Sequence, residues 1–412
     1  MHEHPDDCVV LPEDAGARVR EALGVPATRR PRIMYVPGPG DVYGSFEQWR
    51  SGRHDERAPK LAYSTMFYAL VARLDAEAAI VGQADAGVVT ADPRFRFLPV
   101  PRKRRSTRGA YYRSELRHTL LLRRYVRSYR PDAVIVGSDF AEEALALLPR
   151  GPRIVLAVHN TYWAMGQRPT AARARLKQRL AARGLRRAHG AVCVSEECVR
   201  QLRALAPIPG PCLVATPQLL RGSAGCHRPR RRLEQLVYLG RIERDKGVFD
   251  LVAAFERARA LRPTLRLVFA GAGTAVPELQ GRIEKSPAAD AMEHVGVLDA
   301  GGVRRLLETS DLLVCPTRSA FNEGLATVAV EAAAQGVPSL LSSVVPAQEL
   351  LESACRTFVA DSADDLAEQL LELVRDDAQL ARMSEATRAV TDRLFDRSRS
   401  WGSRLYEVLA SR

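Results

Sequence analysis

Two carboxylates stand eight positions apart in Phe321-Asn322-Glu323-Gly324-Leu325-Ala326-Thr327-Val328-Ala329-Val330-Glu331-Ala332, across a turn that opens an apolar helix. At a helical rise the separation is roughly 12 Å. Glycosidase carboxylates face each other at about 5–9.5 Å across a single bond, so this spacing disfavours hydrolysis and suits the two ends of an extended ligand. Glu323 would reach sugar hydroxyls and Glu331 a ribose. Glu331 also lies among Val328, Val330, Ala332 and Ala333, where an unpartnered carboxylate is costly. About eighty residues upstream, Gly240-Arg241-Ile242-Glu243-Arg244-Asp245-Lys246-Gly247 follows a buried strand. Arg241 offers a planar fork of donors and Lys246 a compact charge, both suited to a pyrophosphate that gains negative charge as a sugar leaves it. Backbone N–H groups at Leu325 and Ala326 would support the same phosphate.

Other segments offer weaker chemistry. Gly271 and Gly273 follow a strand and would let backbone approach a phosphate or nucleoside; Val297 is the candidate for main-chain contact with a base. Asn322 and Gly324 adjoin Glu323 and join the donor set. His159 ends another strand and would hydrogen-bond sugar or phosphate, or be a structural strand-end histidine. Gly38, Gly40, Asp41 and Gly44 form a glycine-rich turn that would meet phosphate or acceptor. Tyr43, Trp49 and Trp163 form an apolar shelf or belong to the core, and Ser195 reads as a helix cap.

The elements that must hold these residues alternate as short apolar strands and helices, the pattern of a parallel α/β sheet. At 412 residues the chain suits two domains. Residues 1–30 read as an extension, 31–218 as a first Rossmann-like domain and 219–232, rich in Pro, Gly and Arg, as a linker. Residues 233–382 read as a second such domain, and 383–412 as a C-terminal helix returning to the first. Two doubly wound sheets in tandem would enclose a cleft at their carboxyl ends, where such folds bind ligands.

Composition narrows the class. With 46% hydrophobic and 26% charged residues, the chain reads as a globular protein without a membrane span. The polar N-terminus is unlike a secretory signal. Seven scattered cysteines imply neither a disulfide framework nor a zinc site, so the cytoplasm is expected. The net charge of +13 comes almost wholly from arginine, since only five residues are lysine. It concentrates in Arg102-Lys103-Arg104-Arg105 with the helix that follows, and again between Arg168 and Arg187. Two readings stand: solvated helix faces, or faces lying on anionic lipid at the inner membrane. No nucleic-acid module is visible, and no nucleic-acid partner is expected.

Tyr238-Leu239-Gly240-Arg241 through Lys246-Gly247 resembles the "GR…KG" element of the retaining glycosyltransferases of family four, which have the GT-B fold. Glu323 to Glu331 is similar to that family's E-x7-E motif, and Gln335-Gly336-Val337-Pro338 to its continuation. The likeness is close over about residues 235–345 and looser in the first half. It implies pyrophosphate binding by Arg241 and Lys246, ribose binding by Glu331 and contact of Glu323 with the transferred sugar. It further implies a nucleoside-diphosphate sugar donor, a carbohydrate or lipid-linked acceptor, an envelope or exopolysaccharide role, and no metal or other cofactor. Two elements depart: Gly38-Pro39-Gly40-Asp41 replaces the family's "GG" loop, and its "NGVD"-like segment is absent near Thr216-Pro217-Gln218. Rival readings are a phosphorylase, epimerase or hydrolase on the same fold, or a binding protein using the basic face.

Overall fold

The computed structural model describes the chain except residues 1–3, 39, 55–59, 83–89, 91, 101–107, 138–139, 221, 223 and 225–228; in the helix Arg108–Tyr129, side chains are described from residue 113 onward. The first basic run, Arg102 to Arg105, and Cys226 therefore lie outside the described residues.

Seven strands build the first sheet: β1 (Arg32–Val36), β2 (Glu77–Gly82), β3 (Phe95–Pro99), β4 (Ala133–Gly137), β5 (Arg153–Val158), β6 (Ala188–Cys193) and β7 (Cys212–Val214). Their order is β3-β2-β1-β4-β5-β6-β7, with every pairing parallel. Six more build the second: β8 (Gln235–Leu239), β9 (Arg266–Ala270), β10 (Met292–His294), β11 (Leu312–Cys315), β12 (Ser339–Ser342) and β13 (Cys355–Phe358). Their order, β10-β9-β8-β11-β12-β13, is again all parallel. Strand direction of growth reverses between β1 and β4, and between β8 and β11. At such switch points the loops diverge and leave a crevice at the strand ends.

The strands are apolar throughout because both faces are covered. Along β1, Met34 and Val36 enter one core and Ile33 and Tyr35 the other, the alternation that a pleated strand imposes. Along β8, Val237 and Leu239 face the first of these cores, while Leu236 and Tyr238 face a third. One apolar cluster thus runs through both domains, bringing Val194 and Val199 together with Leu325, Ala329 and Val345.

Several segments differ from their sequence reading. The N-terminal segment is no loose extension: Cys8, Val9 and Val19 are buried, and the helix Ala15–Ala22 packs on the helix Trp401–Ala410. Cys212–Val214 is a strand despite its Pro- and Gly-rich surroundings, because pairing with β6 overrides local propensity. Glu142–Leu147, after β4, is a six-residue 3-10 helix. The C-terminal helix is two helices, Asp377–Leu394 and Trp401–Ala410, and the second packs against β6, β7 and the helix Tyr63–Arg73. Trp401, fully buried, anchors it. Among the described residues, no helix is long and apolar enough to cross a membrane, and no cluster of three or more His, Cys, Asp or Glu could hold a metal ion.

Candidate functional site

The loops after β8 and β11 meet at the second sheet's switch point. After β8, Gly240 has φ 152° and Tyr238 Oη donates to the Arg241 carbonyl at 2.6 Å, which turns the loop back on its strand. Lys246 then lies in a 3-10 turn ended by Gly247 (φ 72°). A Cβ at Gly247 would come within 1.8 Å of the Pro316 carbonyl oxygen, so only glycine lets the two loops approach. The approach delivers Lys246 to Glu323: Nζ lies 2.5 Å from Oε2, with both side chains largely buried at 13% and 14% exposure. Thr317 Oγ1 lies at 3.5 Å from the same oxygen. Phe321 presents its ring to both cations, 3.6 Å from Lys246 Nζ and 5.1 Å from the Arg241 guanidinium carbon.

Glu331 projects from the short helix Thr327–Ala333. The residue before that helix, Ala326, adopts the left-handed conformation (φ 67°, ψ 72°) that turns the chain between the two carboxylates. Burial pushes the Glu331 carboxyl above its usual range, and Lys60 pulls in the opposite direction. Lys60 belongs to the first domain. Its Nζ lies 3.7 Å from Glu331 Oε1 and 3.2 Å from Thr327 Oγ1.

The first domain meets this loop through β5. Thr161 Oγ1 donates to the Glu323 carbonyl at 3.1 Å, and Asn322 Nδ2 to the Tyr162 carbonyl at 3.3 Å. A Cβ at Gly324 would stand 1.9 Å from the His159 carbonyl oxygen, so this close approach of the two domains depends on that glycine. The His159 ring packs against Tyr63 in a tilted arrangement, with the ring centroids 4.5 Å apart. Burial lowers its pKa to about 4, leaving a neutral imidazole at physiological pH.

Other anticipated residues sit differently. Gly271 and Gly273 pack loop on loop: Cβ atoms there would fall 1.8 Å from the Gly240 carbonyl oxygen and 2.0 Å from that of Ile242. Their need for glycine is therefore met within the protein. Val297 is 74% exposed near their loop, and the Gly296 carbonyl accepts from Gly271 N–H. Asp41 caps its helix by accepting from Gly44 N–H at 2.8 Å, a structural use of both residues. Gly38 and Gly40 line a separate small crevice at the ends of β1 and β2. Trp49 and Trp163 are buried, and Ser195 caps its helix through Cys198 N–H.

Two family models match the chain. Residues 65–215 match the family model described as Glycosyltransferase Family 4, and residues 227–390 match Glycosyl transferases group 1. The chain belongs to glycosyltransferase family four. The second match contains Arg241, Lys246, Glu323 and Glu331; the first contains His159 and Thr161. Among curated relatives of this family-four chain, glycogen synthase of Mycobacterium tuberculosis is 38% identical over 117 residues, 28% of either chain. The GDP-mannose-dependent monoacylated alpha-(1-6)-phosphatidylinositol monomannoside mannosyltransferase of Corynebacterium glutamicum is 30% identical over 174 residues, 40% of this chain and 44% of its own length. The match thus spans less than half of each relative. In fold, sucrose-phosphate synthase from Thermosynechococcus elongatus superposes with a TM-score of 0.66 at 15% identity, covering 92% of this chain and 98% of that one. Anabaena HepE, solved with UDP and glucose, gives 0.62 at 13% identity over 92% and 99%. The architecture is GT-B, as the two switch-point sheets require.

Sequence reasoning missed Lys60, Thr161 and Thr317. No short motif singles them out as ligand-facing, although Lys60 is one of only five lysines in the chain.

Proposed function

We propose that this family-four chain transfers a sugar from a nucleoside-diphosphate sugar to an acceptor hydroxyl, with retention of anomeric configuration and without a metal ion. The observation that carries the reading is the Lys246–Glu323 pair at the switch point, with Arg241 sharing the Phe321 ring and Glu331 one short helix away. On donor binding, Lys246 exchanges Glu323 for the pyrophosphate, and Glu323 is released to the hydroxyls of the sugar. In a same-face displacement the acceptor oxygen bonds to the anomeric carbon as the bond to the distal phosphate oxygen breaks; that oxygen leaves with the electron pair and takes up the proton of the acceptor hydroxyl. Arg241 and Lys246 stabilise the charge that develops there. His159, neutral, can donate one hydrogen bond to sugar or phosphate without carrying charge. Same-face displacement and double displacement both remain consistent with these residues.

A lipid-linked acceptor at the inner face of the cytoplasmic membrane, in envelope or exopolysaccharide synthesis, completes the reading. Leu116 and Leu120 on one basic helix and Leu176 and Leu180 on the other are all more than half exposed among arginines, a composition suited to anionic head groups. The test is release of nucleoside diphosphate from a panel of nucleotide sugars, with and without bacterial lipid extract, followed by proton NMR of the product's anomeric centre. Turnover with the donor's configuration supports the proposal. An inverted product overturns retention; release with water or inorganic phosphate as the acceptor identifies a hydrolase or phosphorylase instead.

A further inference from the structure

A second cavity, about 430 Å³, lies where the chain crosses between the domains, and none of Arg241, Lys246, Glu323 and Glu331 lines it. The first domain contributes the ends of β6 and β7, including Ser195, Glu196 and Thr216. The second contributes Leu325, Glu349 and Leu350, and the returning C-terminal segment contributes Arg393, Arg399 and Arg404. Three arginines therefore line one cavity. Their carboxylate neighbours, Glu352, Asp396 and Glu407, lie outside its lining. On the lining residues, Arg404 Nε and Glu349 Oε2 are shielded from solvent and have no hydrogen-bond partner among the described residues, while Glu349 Oε1 is paired with Arg200. Buried polar groups of this kind are normally satisfied, and the pair differs in kind: one donor, one acceptor.

We propose that this cavity binds a phosphorylated sugar as a ligand separate from the donor. Its phosphate lies against Arg393, Arg399 and Arg404, which suit a dianion through forked donors; its hydroxyls donate to Glu196 and Glu349. The volume exceeds what inorganic phosphate alone would fill. Because the walls come from both domains and both chain crossings, the bound ligand favours one relative setting of the domains. It is therefore coupled, reciprocally, to donor binding.

The test is calorimetric titration of the full chain with glucose 6-phosphate, glucose and inorganic phosphate as separate probes at fixed salt. Glucose 6-phosphate is expected to bind at least tenfold more tightly than either fragment. Arg399→Ala and Arg404→Gln should each weaken it tenfold or more, and Leu350→Trp should block it by filling the space while leaving every charge in place. Arg399 is half exposed, so its replacement spares the core. Lys246→Ala should change the affinity less than twofold. The proposal is overturned if wild-type protein does not bind glucose 6-phosphate, if the arginine and Leu350 variants bind it undiminished, or if Lys246→Ala abolishes binding, which would put the phosphate in the donor site.

Discussion

Lys60 and Glu331 face each other across the cleft, Nζ 3.7 Å from Oε1, one from each domain. The lysine partners a carboxylate whose burial has raised its pKa. Holding that charge costs stability above the folded-state pKa, and the cost disappears once the group is protonated in both states. Glu331→Gln should therefore raise Tm at pH 8, and the gain should shrink as pH falls toward 4. The same change should weaken donor binding about tenfold, the loss expected for a hydrogen bond to a charged group. Thermal melts across pH and donor titrations check the two halves separately.

Gly324 is a point of close approach between the domains, since its missing Cβ leaves room for the His159 carbonyl. Gly324→Ala should hold the cleft open. The expected outcome is a larger radius of gyration by X-ray scattering and a fall in kcat of two orders of magnitude or more. The far-UV spectrum should stay unchanged.

Ala326 occupies the left-handed region at φ 67°, which strains a residue with a Cβ by roughly 1–2 kcal/mol. Glycine removes that strain but gives back part of the gain as unfolded-state entropy. Ala326→Gly should stabilise the protein by about 0.5–1 kcal/mol in denaturant unfolding, and Ala326→Val should destabilise it by more.

His159 is half-buried, and desolvation lowers its pKa to about 4. The unfolded chain, with an ordinary histidine near 6.5, binds more protons between those values. Stability from this group is thus complete above pH 6.5 and is lost as pH falls toward 4. His159→Asn should flatten the pH dependence of unfolding over that window, measured by denaturant midpoints.

The second domain's site was legible because its signals are local. Arg241, Lys246 and Glu323 lie on loops that follow strands and Glu331 on the short helix after them, so short motifs carry their placement. Lys60 was not legible: it reaches Glu331 through tertiary closure, from a segment with no motif. The glycines show the complementary difficulty. Gly271 and Gly273 look in sequence like phosphate-binding turns, whereas loop-on-loop packing against Gly240 and Ile242 already requires them. Likewise Cys212–Val214 lies among prolines and glycines, and only its pairing with β6 makes it a strand. The N-terminal segment reads as an extension in sequence, and its burial depends on the distant helix Trp401–Ala410.

The most direct measurement is donor-dependent release of nucleoside diphosphate by wild-type protein, Lys246→Ala and Glu323→Gln, with folding verified by melting temperature. The expected result is turnover by wild type and a fall in kcat of roughly 10²–10³ for each variant, the scale of losing one group that stabilises the leaving charge or holds the sugar. Release within tenfold of wild type in both variants would contradict the assignment of this pair to the donor site.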